Sequence, residues 1–374
     1  MKTNIILQGD ALTKLKELPE KSINMCMTSP PYWALRDYGT ATWEGGDENC
    51  EHKIPKGEKD PKNEHNSSHN IRFIRETCYL CGAKRIDHQL GLEPTFDEYI
   101  NKLCDIFDEV KRVLRDDGTC WVNLGDTYNS HSTGKGDVGG IEGKRKNKKD
   151  NQANTKKQFN QIPDKCLTMI PMRFAIEMVN RGWILRNTII WYKPSCMPSS
   201  VKDRFTVDFE YIFFFSKKKK YYFETQYEPV KQETIDRYKY GWDGNTDRGY
   251  PSGPQNHMNT HFQNPEAIKS VIENGRNKRT VWTINPKPFK EAHFAVFPEE
   301  LCETPIKAGC PEGGIVLDPF SGAGTTSLVA LKQNKKFIGI ELNKEYIEIA
   351  EKRLKPFLEQ SKLNSQEYKE EIIV

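Results

Sequence analysis

The chain has 374 residues, 36% hydrophobic and 29% charged, with a formal net charge of +4. That length can bury a sizeable core, and no apolar run approaches the roughly 20 residues needed to span a bilayer, so no membrane partner is expected and a cytoplasmic location is. A charge so near neutral means that nucleic-acid binding would need a localised basic face, and ten cysteines point to free thiols or metal ligands rather than disulfides.

In chain order, NIILQGDAL predicts a strand ending at Gly9-Asp10, followed by a helix over LTKLKELPE. SINMCMTSPP predicts a second strand, stopped by consecutive prolines that remove backbone donors. A residue before proline is pushed out of the helical region, so Ser29 and Pro30 should both be extended. The result is a stiff tip presenting Ser29, the Pro30 carbonyl and the Tyr32 ring; alone, it is equally the pattern of a rigid turn with core aromatics. Residues 44–92 are polar and look like an insertion. PTFDEYINKLCDIFDEVKRVLRDDG predicts a helix with Thr95 as N-cap, Glu98 three residues on, and Gly118 as its stop. TCWVNLGD should be a strand, and residues 129–161, almost free of apolar side chains, a flexible basic loop. PMRFAIEMVNRG predicts a helix and WILRNTIIWYK a strand, while FEYIFFFSKKKKYYFE predicts two strands joined by a lysine-rich turn. Residues 225–280 are irregular, polar and aromatic. From GGIVLDPF onward strands and helices alternate strictly, which predicts a parallel α/β sheet.

The stretch GGIVLDPFSGAGTTSLVALKQNKKFIGIEL is a strand, a glycine-rich turn, a helix and a strand ending in an acid. That is the nucleotide-binding half of a doubly wound fold, with Glu341 placed to accept hydrogen bonds from ribose hydroxyls. Gly322 and Gly324 let the backbone approach a ligand. Asp318 stands where a pyrophosphate would otherwise sit; it repels phosphate and suits the ammonium of a methionine moiety. S-adenosylmethionine, a ribonucleoside without phosphate, fits this loop better than a dinucleotide.

DPFSGAGTT together with TSPPYW resembles the amino-group DNA methyltransferases, which methylate N4 of cytosine or N6 of adenine. The catalytic motif precedes the cofactor motif, as in the circularly permuted beta class of that family. GDAL near the start, FEYIFFFSK in the middle and HFAVFPEEL before the cofactor loop extend the likeness over most of the chain. The resemblance implies a permuted, Rossmann-like S-adenosylmethionine-dependent fold. It implies that Asp318, Pro319, Phe320, Gly322, Gly324, Thr325 and Glu341 hold the cofactor, that Asp10 contacts its adenine end, and that the segment around His293, Phe294 and Pro298 borders its methionine end.

An exocyclic base amine is a weak nucleophile because its lone pair is delocalised into the ring. Ser29 Oγ and the Pro30 carbonyl are acceptors that can draw the amine toward tetrahedral geometry, held in place by Pro30 and Pro31. Tyr32 supplies a face for a base flipped out of the duplex, and Trp33 either lines the pocket or belongs to the core. Methylation at cytosine C5 would need a cysteine nucleophile, usually in a Pro-Cys pair, which the chain lacks. In the resembling family a serine at the first position of the motif goes mainly with cytosine N4, so cytosine is favoured over adenine.

NCEHKI and TCYLCGAKR bracket the first insertion. Cys50 and His52 form a C-x-H pair, and Cys78 and Cys81 a C-x-x-C knuckle, which is the ligand set of a closed structural zinc site. His65, His69 and His88 are replacement candidates, and unpaired thiols beside an unrelated knuckle are the alternative. The loop between the pairs is too polar to fold without a staple.

Double-stranded DNA is the expected partner. The basic loop carries KRKNKK, suited to an arm on the DNA backbone or to a solvated linker. Lys202 and Arg204 are placed to clamp phosphates, and residues 225–280 to read base edges. The expected organisation is a catalytic core over 1–48, 84–128 and 162–224, a zinc-binding insertion over 49–83, the flexible loop over 129–161, a target-recognition region over 225–280 and the cofactor-binding part of the core over 281–374. A cognate restriction nuclease is a candidate companion, and monomer and homodimer both stay open. The rival readings are an adenine-N6 enzyme, a methyltransferase of RNA or protein glutamine, and a non-catalytic zinc DNA-binding protein.

Overall fold

A computed structural model describes residues 1–33, 42–52, 77–78, 80–87, 89–129, 162–233, 235–236, 265–287 and 296–371. Strand β1 (Ile5–Gln8) leads into helix α1 (Ala11–Lys16), whose N-cap is Asp10. Strand β2 (Ile23–Thr28) ends at the prolines, as expected. The short strands β3 (Thr42–Glu44) and β4 (Lys84–Ile86) pair as an antiparallel hairpin at the edge of the insertion. Helix α2 (Phe96–Val113) is capped by the Thr95 hydroxyl, which accepts from Glu98 N–H.

The helix does not run to Gly118. Its C-cap Leu114 is already extended, and strand β5 (Leu114–Leu124) starts there. Leu114 is buried and pairs with Ile23, so burial of this side chain in the sheet outweighs further helical hydrogen bonding over RDD. The chain continues through α3 (Ile170–Asn180), β6 (Ile184–Tyr192) and β7 (Phe209–Ser216), then β8 (Tyr227–Glu228), α4 (Pro265–Asn274), β9 (Arg276–Asn277) and β10 (Val281–Thr283). It closes with α5 (Glu299–Gly309), β11 (Ile315–Asp318), α6 (Thr325–Lys332), β12 (Lys336–Glu341) and α7 (Lys344–Glu371).

Eight strands form one sheet in the order β1-β12-β11-β2-β5-β7-β6-β10. The sheet is not wholly parallel, because β7 runs antiparallel to both β5 and β6. The physical reason is the connection: β6 and β7 are joined by an irregular loop without a crossover helix, and such a link returns the chain antiparallel. Nor does FEYIFFFSKKKKYYFE make two strands. Only Phe209–Ser216 does, and the following segment folds back so that Tyr221 and Phe223 pack their rings on Phe214.

Side chains alternate across the sheet as the strand period requires. Cys26, Phe213 and Phe215 point to the face covered by α1, α2 and α3, whereas Met25, Met27 and Phe214 point to the face covered by α5, α6 and α7. The result is a three-layer, Rossmann-like α/β fold in which β2, from early in the chain, lies directly beside β11, from late in it. All ten cysteines are free, and among the described residues no helix is long and apolar enough to cross a membrane.

Candidate active site and metal centre

The C-terminal ends of β1, β2, β11 and β12 meet at one edge of the sheet, the place where ligands of open α/β folds bind. A cavity of about 900 Å³ opens there. One wall carries Gly9, Asp10 and the loop after β11, and the other carries Ser29, Pro30, Pro31 and Tyr32. The two motifs that lie 290 residues apart therefore share one space.

On the cofactor side, Pro319, Phe320, Gly322, Thr325 and Glu341 all line the cavity. Glu341 receives the Gly322 N–H on one oxygen and the Asn343 N–H on the other, both at 2.8 Å. Burial holds its carboxyl above the ordinary range, against the lowering effect of those amides. Asp10 also lines the cavity while capping α1 through Thr13, and both of those bonds fall on Oδ1.

Two of the expected contacts are placed differently. Asp318 is only 2% exposed and turns into the sheet, where its Oδ1 accepts from Thr28 Oγ1 at 2.6 Å and from Phe320 N–H at 3.1 Å. Burial pushes its carboxyl up to about 6. It shapes the loop from behind and does not line the cavity. Gly324 likewise stands off the cavity: it has a φ of +74°, and a Cβ there would meet Ala350 Cβ at 2.9 Å, so glycine is needed for the start of α6 to pack on α7. His293 and Phe294 lie outside the described residues; Pro298 caps α5, and its neighbours Val296 and Phe297 line the cavity.

At the other wall, the Ser29 hydroxyl donates to Asn123 Oδ1 at 3.2 Å, which leaves the oxygen's lone pairs free to accept. Asn123 is fixed in turn, since its Nδ2 donates to Glu210 Oε2 and to the Tyr211 carbonyl, each at 3.1 Å. Glu210 also accepts from the Tyr32 hydroxyl at 2.6 Å and from Lys193 Nζ, whose ammonium stands over the Trp191 ring. Burial and then the Glu210 charge push the Tyr32 phenol well above its ordinary range, so it stays a neutral donor. The Tyr32 ring lies directly against Gly125, where a Cβ would approach Tyr32 Cε2 to 2.6 Å. Tyr99 donates to the Pro31 carbonyl at 2.8 Å and braces the tip from below.

Asn123, Lys193, Glu210 and Tyr99 were not singled out by the sequence reading. The available signal was polarity out of place: an amide inside CWVNL and a carboxylate inside FEYIFFF are costly in buried strands unless they are paired. Trp33, expected either to line the pocket, where DNA would meet it, or to belong to the core, is 1% exposed; its indole donates to the Glu93 carbonyl and its ring meets Phe96 edge-on. It belongs to the core. Lys202 and Arg204 are exposed on the loop between β6 and β7, with the Arg204 guanidinium stacked over Tyr128. Most of the basic loop at 129–161 and the alternative ligands His65, His69 and His88 lie outside the described residues.

Cys50, His52, Cys78 and Cys81 come together, with all ligand atoms within 4.8 Å of one another. The Cys50 and Cys78 sulfurs are 3.8 Å apart, and Cys81 Sγ is 3.3 Å from His52 Nδ1. A tetrahedral centre with metal–sulfur bonds of about 2.3 Å spaces its sulfurs by about 3.8 Å, so the donor set fits zinc in kind and spacing. The Trp43 ring stacks on His52 and ties the quartet to the β3–β4 hairpin.

Residues 23–352 match the N6/N4 methyltransferase family model, described as DNA methylase. The chain belongs to this family. The methylase is 36% identical to Type II methyltransferase M.Cfr9I of Citrobacter freundii, over 93% of this chain and 87% of that one. It is 34% identical to M.XycI of Xanthomonas campestris pv. cyanopsidis, over 95% and 88%, and 34% identical to M.SmaI of Serratia marcescens, over 93% and 90%. Among solved structures, the cytosine-N4-specific PvuII DNA methyltransferase superposes with a TM-score of 0.53 at 18% identity, covering 94% of this chain and 86% of that one. At that identity the likeness concerns the fold.

Proposed function

We propose that the methylase transfers a methyl group from S-adenosylmethionine to the exocyclic N4 amine of cytosine in duplex DNA. One observation carries the proposal: the Ser29–Pro30 acceptor pair and the Glu341 carboxylate open into the same cavity. When bound, S-adenosylmethionine supplies an electrophilic methyl group. Glu341 and Asp10 would hold its ribose and adenine, beside the backbone of the 319–322 loop. Asp318 keeps that loop in shape through Thr28 and the Phe320 N–H.

The protein's own chemistry lies in its acceptors. Ser29 spends its proton on Asn123, so its oxygen faces the substrate as an acceptor. The Pro30 carbonyl, next to a residue with no N–H, is the second acceptor. Together they would take the two amine hydrogens and pull the lone pair out of conjugation with the ring before the substrate reacts. Tyr32, pinned by Glu210 and Asn123, offers a ring for the flipped base.

Cytosine is favoured by the serine that opens the motif. Modification-sensitive sequencing of DNA from cells expressing the protein tests this directly: N4-methylcytosine at a fixed sequence is expected. N6-methyladenine would overturn the choice of base, and unmodified DNA the choice of substrate. Ser29→Ala should cut turnover while cofactor affinity by calorimetry stays unchanged.

The same proposal includes a structural zinc on Cys50, His52, Cys78 and Cys81, with no open ligand position. Residues 225–280, where β8 and β9 pair and Glu228 holds Arg276 and Arg279, would read the target sequence. The Type II names of the relatives support a cognate nuclease as companion; restriction of unmodified but not of modified DNA by that nuclease checks it.

A further inference from the structure

The loop joining β6 to β7 sets large apolar side chains in water. Met197, Val201, Phe205 and Val207 are 89%, 39%, 96% and 49% exposed. Four large apolar side chains exposed along one loop beside a cavity fit a surface that is covered in use. The loop is held in place at several points: Lys193 N–H bonds the Asp208 carbonyl at 2.7 Å at its base, Lys165 pairs with Asp203 at 2.8 Å, and Arg204 stacks on Tyr128 at 3.4 Å. Its exposed tip is therefore presented by a supported frame.

The position of the loop says what the tip meets. Met197 and Lys193 line the same cavity as Ser29 and Pro30, so the loop forms part of the cavity mouth. Lys202 and Arg204 closely precede Phe205 in the chain, so two cations and an aromatic side chain are exposed on the same loop whose Met197 lines the cavity. A duplex has matching chemistry: phosphates for the cations and apolar base faces for the ring. Extruding one base leaves a gap in the stack, and apolar side chains inserted between base steps are a recurring way to fill such gaps.

We propose that Phe205 is a wedge that enters the duplex where the target base leaves it, with Lys202 and Arg204 seating the flanking phosphates. This rests on the proposed methylation of duplex DNA. Phe205 would thus act on the opening of the duplex and not on methyl transfer itself.

The test compares wild type with Phe205→Ala and Phe205→Trp on two duplexes: the fully paired target, and the same target with a mismatch opposite the methylated base, which is then already unpaired. Phe205→Ala should lower kcat/KM on the paired duplex by at least about fivefold, the lower end of what a base–aromatic stack is worth, and the mismatch should restore most of the loss. Phe205→Trp should keep activity on both, and cofactor affinity and melting temperature should match wild type. Equal activity of Phe205→Ala and wild type on the paired duplex would overturn the wedge, as would equal losses on both duplexes. A shift from dimer to monomer in light scattering would mean that a second copy covers the patch, and would overturn it too. If wild type methylates neither duplex, the proposed reaction has failed, and 2-aminopurine fluorescence beside the target on binding still reads the wedge: a rise lost in Phe205→Ala supports it, and no difference refutes it.

Discussion

Thr28 and Asp318, 290 residues apart in the chain, share a hydrogen bond of 2.6 Å that joins the C-terminal end of β2 to the C-terminal end of β11. The same Asp318 oxygen receives the Phe320 N–H, so this one atom registers both motifs. Thr28→Val keeps the shape and removes the donor, leaving a buried carboxylate short of a partner. It should cost about 1–3 kcal/mol in chemical denaturation and weaken cofactor binding in calorimetry. An unchanged denaturation midpoint would show that the bond does not hold the motifs together.

Asp318 also predicts a pH dependence. Burial raises its carboxyl from 3.8 to about 6, so between these values the folded protein keeps a proton that the unfolded chain has released. Its contribution to stability is therefore complete below about pH 4 and is lost as pH rises through 6. Asp318→Asn, which keeps an acceptor for Thr28, should melt increasingly above wild type through that window and then level off, with an upper limit of about 3 kcal/mol. A difference in melting temperature that stays flat from pH 4 to 7 would contradict it.

Gly125 bears the Tyr32 ring. An added methyl group would stand 2.6 Å from Tyr32 Cε2, and the ring is anchored at its far end by Glu210. Gly125→Ala should displace the ring, costing about 1–3 kcal/mol of stability and lowering kcat while cofactor affinity stays put. Full activity in this variant would mean that the ring position is not needed.

The cysteine–histidine quartet should hold about one zinc per chain by metal analysis. Downstream of β4, Asp87, Gln89 and Leu90 line the cavity, and Gly91 packs against the Tyr32 carbonyl. The hairpin beside the quartet is therefore continuous with a cavity wall. Cys78→Ser should lose the zinc, speed amide exchange over residues 77–93 and raise KM for DNA more than it lowers kcat. Full zinc retention in that variant would remove Cys78 from the ligand set.

Features that depend on short spacing were legible in the sequence. The Ser29-Pro30-Pro31-Tyr32 tip ends β2 and, with the turn from Pro319 to Gly322, lines the cavity, and each Cys/His pair keeps its close spacing, because each is set by neighbours a few residues away. Features that depend on distant partners were not. The antiparallel run of β7 follows from its helix-free connection to β6, which lies beside it in the sheet, and the early end of α2 follows from Leu114 pairing with Ile23. Asp318 looks like a ligand contact until Thr28 is beside it. Trp33 is open to either a pocket or a core reading until Phe96 of α2 meets its ring. The Asn123–Glu210–Lys193 chain joins β5, β7 and the start of the loop after β6 and has no local pattern, save that polar residues inside apolar runs need an explanation.

The placing of β2 between β5 and β11 has a consequence during synthesis. The strand leaves the ribosome early, but one of its two partners arrives about 290 residues later, which at 5–20 residues per second is roughly 15 to 60 s. For that interval INMCMT has one bare edge in the nascent chain, rich in apolar side chains and open to wrong pairing. Slower translation lengthens this exposure, so yield of folded protein should depend on chaperones that shield the N-terminal third until β11 is made.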